Sequence, residues 1–322
     1  MSRNSISVVI PNYNGVNLLQ ENLPYVYRAL STSGIADFEI IVPDDASVDN
    51  SVEFLRTNFP DIIVVQNIEN RGFAGNINSG IRATKKDLVL ALNSDVQLTD
   101  NYFVSQMQYF ERDDTFGVMG RIMSMTGDKI QAGANYSAYS FADIGSIRNY
   151  ICPTRTFLYT LFLSGANALM DREKLMQLGC FCELFNPYYR EDVDLGLTAW
   201  ERGYKLYYEH NAVCRHPNSA TIKKEPSSKV QVVVTRNKIL LHYRHLTGFE
   251  CGCFMAKTML KVVGRMLIGN MRYYKAWRQF YAIRQELALS KKHLQVGKKQ
   301  SLKQTVALIK ADVKNDDVEM LF

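Results

Sequence analysis

The sequence predicts an α/β fold built on a mainly parallel sheet with helices on both faces. Three observations carry that expectation. Short β-branched or apolar runs alternate with segments of helical apolar spacing through the N-terminal part. Three of those runs end in clusters of Asn, Asp and Gly. The composition, 47% hydrophobic and 22% charged over 322 residues, is that of a globular chain with enough length for a large core and an appendage.

Ile6–Ile10 is the first strand, stopped by Pro11-Asn12-Tyr13-Asn14-Gly15. Leu18 to Leu30 has helical spacing. Phe38–Val42 is a second buried strand, ended by Pro43 and the polar run Asp44 to Asp49. Val52–Phe59 reads as a helix, Ile62–Val65 as a strand, and Asn76 to Ala83 as another helix. Asp87–Leu92 is a fourth strand, closed by Asn93-Ser94-Asp95. Residues 120–159 read as irregular and aromatic-rich, apart from a hairpin around Gly127. A helix follows from Arg172, another spans Glu191 to Glu201, and Lys205–Tyr208 is a strand.

Parallel sheets bind ligands at the carboxyl ends of their strands. Polar clusters fall there after Ile10, Val42 and Leu92, although turn chemistry alone also favours these residue types. Asp95 is a carboxylate delivered by an apolar strand, and oxygen donors of this kind suit Mg²⁺ or Mn²⁺. Asn-Ser-Asp is equally a good turn. Glu191, Asp192 and Asp194 crowd one helix start, where the dipole favours them. Asp192 and Asp194 are two apart and cannot share a helix face, so one is available to a site and the other to the helix. His216 lies between Arg215 and Pro217, in a polar stretch where it is available to a metal. Asn70 to Gly80 is glycine-rich and leads into a helix, as phosphate-cradling loops do, but it is neither G-x-G-x-x-G nor a Walker A sequence.

Taken together, these segments resemble family-2 glycosyltransferases of the GT-A fold, especially bacterial rhamnosyltransferase-like members. Pro11-Asn12-Tyr13-Asn14 resembles the opening "VIPxYN". Val42 to Asp49 resembles "VDNxSxD", and Asn70 to Ile81 resembles "NxGFAxxxNxGI". Asn93-Ser94-Asp95 stands at the D-x-D or N-x-D metal motif, Ser164-Gly165-Ala166 at "SGA", and Glu191 to Leu195 at "EDVDL". The match covers residues 5–220, with a weaker stretch to 245. Asn93 in place of Asp, Pro43 in place of Val, and Cys180-Phe181-Cys182 in place of Gly-Phe-Asp depart from the pattern.

The resemblance implies a nucleotide-sugar site at Pro11, Tyr13, Asn14, Asp44, Arg71, Gly72, Asn78, Asn93, Ser94 and Asp95, with Asp44 on the nucleotide base. It implies a divalent metal, Mg²⁺ or Mn²⁺, on Asp95 and His216. Ser164, Gly165, Ala166 and Glu191 fall on the acceptor side, and Asp192 is the base of an inverting single displacement. The implied partners are a nucleotide-sugar donor, dTDP-rhamnose or a UDP-sugar, and a saccharide or lipid-linked saccharide acceptor, in surface polysaccharide synthesis. A degenerate scaffold that binds nucleotide-sugar or glycan without transfer is the alternative. The implied catalytic domain spans 1–225, with a nucleotide-sugar half at about 1–97 and an acceptor half at about 98–225. Residues 226–322 form a helical, basic, amphipathic segment.

From Phe254 onward there are 14 Lys and Arg against 5 Asp and Glu, a surplus of nine positive charges in a chain whose net charge is +6. Lys257, Lys261, Arg265, Arg272 and Lys275 share an arc of about 80° on one continuous helix. Met255, Met259, Val262, Val263, Met266, Tyr273 and Trp277 lie mainly on the other side. A basic amphipathic helix suits an anionic membrane surface, and docking on the catalytic domain is the other reading. Residues 298–322 read as mobile or loosely helical. No nucleic-acid motif accompanies the basic segment, so nucleic acid is not an expected partner. The N-terminus has no apolar leader core and no window has about 18 unbroken apolar residues. The expected place is therefore cytoplasmic, peripheral at the inner face of the plasma membrane. The six cysteines, with C-x-C pairs at 180/182 and 251/253, read as free thiols in a reducing compartment.

Overall fold

A computed structural model describes residues 3–217, 226–314 and 317–321. The first half follows the predicted rhythm: β1 (Ser5–Val9), α1 (Val16–Thr32), β2 (Asp37–Asp44), α2 (Ser51–Asn58), β3 (Ile63–Gln66), α3 (Gly72–Ala83) and β4 (Leu88–Leu92). The second half adds β5 (Gln97–Leu98), β6 (Thr115–Met123), β7 (Ile130–Ala132), β8 (Ala134–Ser140), β9 (Asp143–Ile151), β10 (Leu158–Tyr159), β11 (Asn167–Asp171), α4 (Arg172–Gln177), α5 (Glu191–Glu201) and β12 (Lys205–Arg215). The main sheet runs β10-β12-β6-β11-β4-β1-β2-β3. Its β4-β1-β2-β3 half is parallel, β12 is parallel to β6, and β11 runs antiparallel between β4 and β6.

Strand alternation divides the core into two layers. Ile6, Val8 and Ile10 pack with Leu19, Leu23, Val26 and Leu30 of α1. Val9 points the other way, with Ile77 and Ile81 of α3. Every residue of β1 and β4 is buried, as expected for central strands covered on both faces.

Three sequence expectations change. Residues 120–159 are mostly strand, and β8 and β9 join β13 (Glu319–Met320) in a separate three-stranded sheet. Ala134–Ser140 is built of small and polar residues and carries little apolar alternation, so its periodicity is weak. The hairpin at Gly127 is present, with φ +76 and a Gly127 N–H donating to Ser124 O at 2.9 Å. Strand β12 runs on to Arg215, past the predicted end at Tyr208. A register shift between Glu209 and Val213 explains the loop-like polarity of Glu209-His210-Asn211. Helix α3 starts at Gly72, four residues before the predicted start, because its glycines hide the period.

The C-terminal segment is α6 (Ser227–His245), α7 (Gly248–Leu267), α8 (Arg272–Ala282), α9 (Arg284–Gln295) and α10 (Leu302–Val313). The expected single basic stripe is split. Gly269, at φ +75, lies in the break after α7, so Lys257, Lys261 and Arg265 sit on α7 but Arg272 and Lys275 on α8. The last residues are not loose either. Ser301 and Gln304 form a capping box, and α10 buries Leu302, Val306 and Ile309 on a face packed against β8, β10 and α5. The proposed boundary at residue 225 lies outside the described residues. Among the described residues no helix is long and apolar enough to cross a membrane.

Helix α5 needs a close approach to the core. A Cβ on Gly196 would lie 2.6 Å from Phe162 Cα and 2.8 Å from Leu161 O. Those are backbone atoms that cannot swing aside. Gly196→Ala is therefore expected to lower stability by about 1–3 kcal/mol despite its better helix propensity, as read from urea denaturation.

Candidate active site

The ends of β1 and β2 are stitched together by their own polar residues. Asn12 N–H donates to Pro43 O and Asp45 N–H to Asn12 O, both at 2.9 Å. The buried Asp44 accepts from Asn12 Nδ2 at 2.8 Å and from Ser47 N–H at 3.0 Å. Asn14 adopts a left-handed φ of 50, which lets its side chain accept from Val48 N–H at 2.8 Å. Pro11 is partly exposed and Tyr13 is 53% exposed, leaving the tyrosine ring as the open face of this corner.

The glycine-rich segment is a strap. Asp45, which sequence reading passed over, accepts from Arg71 N–H at 2.8 Å and from Asn67 Nδ2 at 3.0 Å. The Arg71 guanidinium reaches Glu183 Oε2 at 3.1 Å and Ser79 Oγ at 3.2 Å. Asn78 donates to Phe181 O at 2.8 Å and accepts from Phe181 N–H at 3.0 Å. Gly72 has φ +68 and packs against Asn186 and Pro187. Arg71, Gly72 and Asn78 thus tie α3 to residues 181–187, with both amide atoms of Asn78 already engaged. Cys180 and Cys182 flank this strap as thiols whose pKa burial pushes up to about 11.

At the end of β4, Asn93 N–H donates to Ala166 O at 3.2 Å, and Ser94 O accepts from Asn22 Nδ2 at 3.0 Å. Asp95 is 8% exposed, and its Oδ1 lies 3.2 Å from His216 Nε2. The backbone sets this pairing. Strand β5, just after Asp95, pairs with the end of β12, Gln97 opposite Arg215 and Leu98 opposite Cys214. Two donors at about 2.1 Å from one octahedral ion sit roughly 3 Å apart, so the pair fits Mg²⁺ or Mn²⁺. Among the described residues no third carboxylate, imidazole or thiol joins them. The remaining positions of such an ion would be open to ligand oxygens.

Asp192 stands at the start of α5. Tyr189 and Arg190 before it both have positive φ, 75 and 74, and the chain is held there by Asn237 of α6. Asn237 Nδ2 lies 2.7, 2.9 and 2.8 Å from the carbonyls of Phe185, Tyr188 and Tyr189. Asp192 is largely but not wholly buried. Burial pushes its pKa up, against the opposing pull of the Val193 and Gly165 N–H groups and of Arg190. Val193 N–H donates to Asp192 Oδ1 at 2.8 Å, Gly165 lies close enough to favour the ionised carboxylate, and Ala166 O holds Asn93. Ser164 closes this turn, its carbonyl accepting from Asn167 N–H at 3.1 Å.

Its neighbours have different fates. Glu191 is 9% exposed and its Oε2 has no hydrogen-bond partner among the described residues. Burial, helped by the charge of Asp192, raises its pKa to about 8, so it is a neutral acid at pH 7. Asp194 faces the other way. Burial would raise its pKa, but Arg244 and His245 outweigh that and lower it. Arg244 binds it in a bidentate fork at 2.6 and 3.1 Å, and His245 Nε2 lies 3.0 Å away. His245 Nδ1 is 3.3 Å from Glu201, whose other oxygen takes Lys298 Nζ at 2.8 Å. Burial would lower the His245 pKa, but Glu201 and Asp194 together raise it.

Two stability experiments follow. Asp194→Asn leaves Arg244 and His245 without their shared counter-charge and is expected to cost about 3–5 kcal/mol in urea denaturation. The unfolded chain ionises Glu191 above its ordinary pKa, whereas the folded chain holds the proton until about pH 8. Glu191 therefore contributes stability that is lost as pH rises through that window. Glu191→Gln is expected to flatten the fall in stability between pH 5 and 8, as measured by denaturation across that range.

Residues 7–179, more than half of the chain, match the family model described as Glycosyl transferase family 2. The O-antigen chain rhamnosyltransferase RfbN of Salmonella typhimurium is 25% identical over 224 residues, 68% of this chain and 68% of RfbN. Among solved structures, GalNAc-T7 with UDP, GalNAc and Mn²⁺ superposes with a TM-score of 0.62 at 16% identity, over 78% of this chain and 49% of that one. The mannosyltransferase PcManGT of Pyrobaculum calidifontis, in complex with GDP-Man and Mn²⁺, gives 0.53 at 16% identity, over 95% and 79%. The chain thus spans about two thirds of RfbN and half of GalNAc-T7, and at these identities the structural likeness speaks for the fold. With the family match across β1 to α4 and the topology above, this chain belongs to glycosyl transferase family 2 and has the GT-A fold.

Proposed function

We propose that this protein is an inverting glycosyltransferase that moves a sugar from a nucleotide-sugar, dTDP-rhamnose or a UDP-sugar, to a hydroxyl of a saccharide or lipid-linked saccharide in surface polysaccharide synthesis. RfbN, by name an O-antigen chain rhamnosyltransferase, supports the donor and pathway class. GalNAc-T7 and PcManGT, solved with UDP or GDP-Man and Mn²⁺, support a nucleotide donor and a divalent metal. The observation that carries the reading is the pairing of Asp95 Oδ1 with His216 Nε2 at 3.2 Å just past the carboxyl end of β4, where the Ala166 carbonyl holds Asn93.

In this reading residues 1–225 are the catalytic domain, with a donor half to about 97 and an acceptor half after it. The strap around Arg71, Gly72 and Asn78 shapes the donor wall, and Pro11, Tyr13, Asn14, Asp44, Asn93 and Ser94 complete it. Asp95 and His216 would hold Mg²⁺ or Mn²⁺, which supplies Lewis-acid neutralisation of the departing diphosphate. Ser164, Gly165, Ala166 and Glu191 border the acceptor. The acceptor oxygen attacks the anomeric carbon as the bond to the nucleoside diphosphate breaks, and its proton passes to Asp192. Burial keeps Asp192 basic enough for that task, while its N–H contacts hold the carboxylate in place. The nucleoside diphosphate leaves without protonation, so no second carboxylic acid is required. The surplus positive charge after Phe254 and the exposed Leu260, Leu267 and Ile268 support peripheral contact with an anionic membrane at its inner face.

Asp192→Asn is expected to lower kcat by about 10²–10⁴-fold while leaving nucleotide affinity unchanged, and retained turnover would assign the base elsewhere. Because the Asp192 pKa is raised, kcat/KM should fall with decreasing pH at values above the ordinary aspartate range. Calorimetry with UDP, dTDP and GDP, with and without Mn²⁺, is expected to find metal-dependent binding of one nucleotide that Asp95→Ala abolishes. Nucleotide binding by a wild-type protein that transfers no sugar to any acceptor would instead mark a degenerate scaffold.

A further inference from the structure

The C-terminal helices enclose a cavity of about 510 Å³ that the chemistry at Asp192 does not use. Its walls come from α6, α7, α8 and the turn between β8 and β9. Lys238, Lys257, Lys261 and Arg272 line it, over an apolar floor that includes Ile239 and Phe254. The carboxylate in the lining, Asp143, is offset by Lys238 Nζ at 3.6 Å. Among the described residues no carboxylate lies within 4.0 Å of the amino group of Lys257 or Lys261, and Arg272 Nε is shielded from solvent without a hydrogen-bond partner. Gathering four cations against one carboxylate raises mutual repulsion. An anion with several oxygens relieves that repulsion and supplies acceptors for the ammonium and guanidinium donors.

The cavity is coupled to the proposed base through α6. Asn237 grips the carbonyls of Tyr188 and Tyr189, just before Asp192, and the next residue, Lys238, lines the cavity. Arg190 feels both carboxylates, Asp192 toward the base and Asp143 toward the cavity. On the outer side of α7, Leu260, Leu267 and Ile268 are 74%, 82% and 69% exposed, an apolar face next to the cationic one. A cationic cavity beside an uncovered apolar helix face fits an amphiphile with a phosphate head and a hydrocarbon chain.

We propose that this cavity is the subsite for the phosphate or diphosphate of a lipid-linked acceptor, holding its head group while the attached sugar reaches Asp192. The inference rests on the glycosyltransferase reading, and it adds to the acceptor side at Ser164, Gly165, Ala166 and Glu191 a head-group subsite on α6, α7 and α8. Two anions and one neutral control separate the sources: farnesyl diphosphate carries head and chain, inorganic pyrophosphate the head alone, and farnesol the chain alone. The full-length protein is titrated with each by calorimetry, alongside its donor nucleotide with Mn²⁺. Farnesyl diphosphate is expected to bind tighter than either fragment. Lys257→Ala with Lys261→Ala should weaken it by about tenfold or more, with nucleotide binding unchanged. Leu260→Ser with Leu267→Ser should weaken farnesyl diphosphate and spare pyrophosphate.

Equal affinity for pyrophosphate and farnesyl diphosphate would overturn the lipid-linked acceptor in favour of a free-anion site. Unchanged farnesyl diphosphate binding in the lysine variant would overturn the cavity itself. Loss of nucleotide binding in the wild type would instead count against the glycosyltransferase reading, so the two failures are distinguishable.

Discussion

A single buried carboxylate, Asp194, fixes how the C-terminal helices meet the GT-A core. It shares its charge between Arg244 and His245 of α6, and His245 passes the connection to Glu201 at the far end of α5. Replacing such a cluster by apolar residues need not weaken a protein, but no apolar substitute would select one rotation and one height of α5 against α6. That selection matters because the first turn of α5 carries Asp192. Lys298 extends the lock from Glu201 to the segment before α10, whose apolar face packs on the same helix. The appendage is thus part of what aims the proposed base.

Three carboxylates within four residues of α5 are sorted by environment into three kinds. Glu191 is buried with its Oε2 unpartnered among the described residues, and stays neutral at pH 7. Asp194 is buried with two cations and stays ionised. Asp192 lies between these extremes, desolvated yet supported by N–H groups and partly open. Helical geometry makes the sorting possible, since residues two apart face different neighbours. A proton acceptor at neutral pH requires that middle condition. Full neutralisation would leave it with its proton, and a tight ion pair would make it a weak base.

The sequence made the parallel half of the sheet legible, because β1, β2 and β4 are apolar runs punctuated by polar turns. Three of the polar clusters were legible for the same reason, since they fall at the ends of β1, β2 and β4. Asn237 and Asp45 were not. Asp45 is hidden among the other carboxylates of its run, and Asn237 is a lone polar residue that only folding brings to three carbonyls in the loop before α5. The sheet formed by β8, β9 and β13 was hidden because β8 is mostly small and polar, the isoleucines of β9 do not alternate with period two, and β13 lies far along the chain. The break at Gly269 was missed because helical arithmetic treats a run of suitably spaced lysines as continuous whatever glycine stands between them. The buried face of α10 was obscured by the charged residues that share its sequence.

Strand β5 is only two residues long, but it has a consequence for the pair beside it. Its hydrogen bonds to the end of β12 clamp the chain on both sides, so the spacing of Asp95 and His216 is a property of main chain rather than of any guest. In a zinc finger the ion organises its own ligands, and removing it unfolds the domain. Here the proposed ligands would already stand in position. An ion that arrives or departs with a diphosphate would have no loop to order and would leave no collapse behind it. In the proposed reading the site would be a socket, open to an ion that comes and goes with the donor.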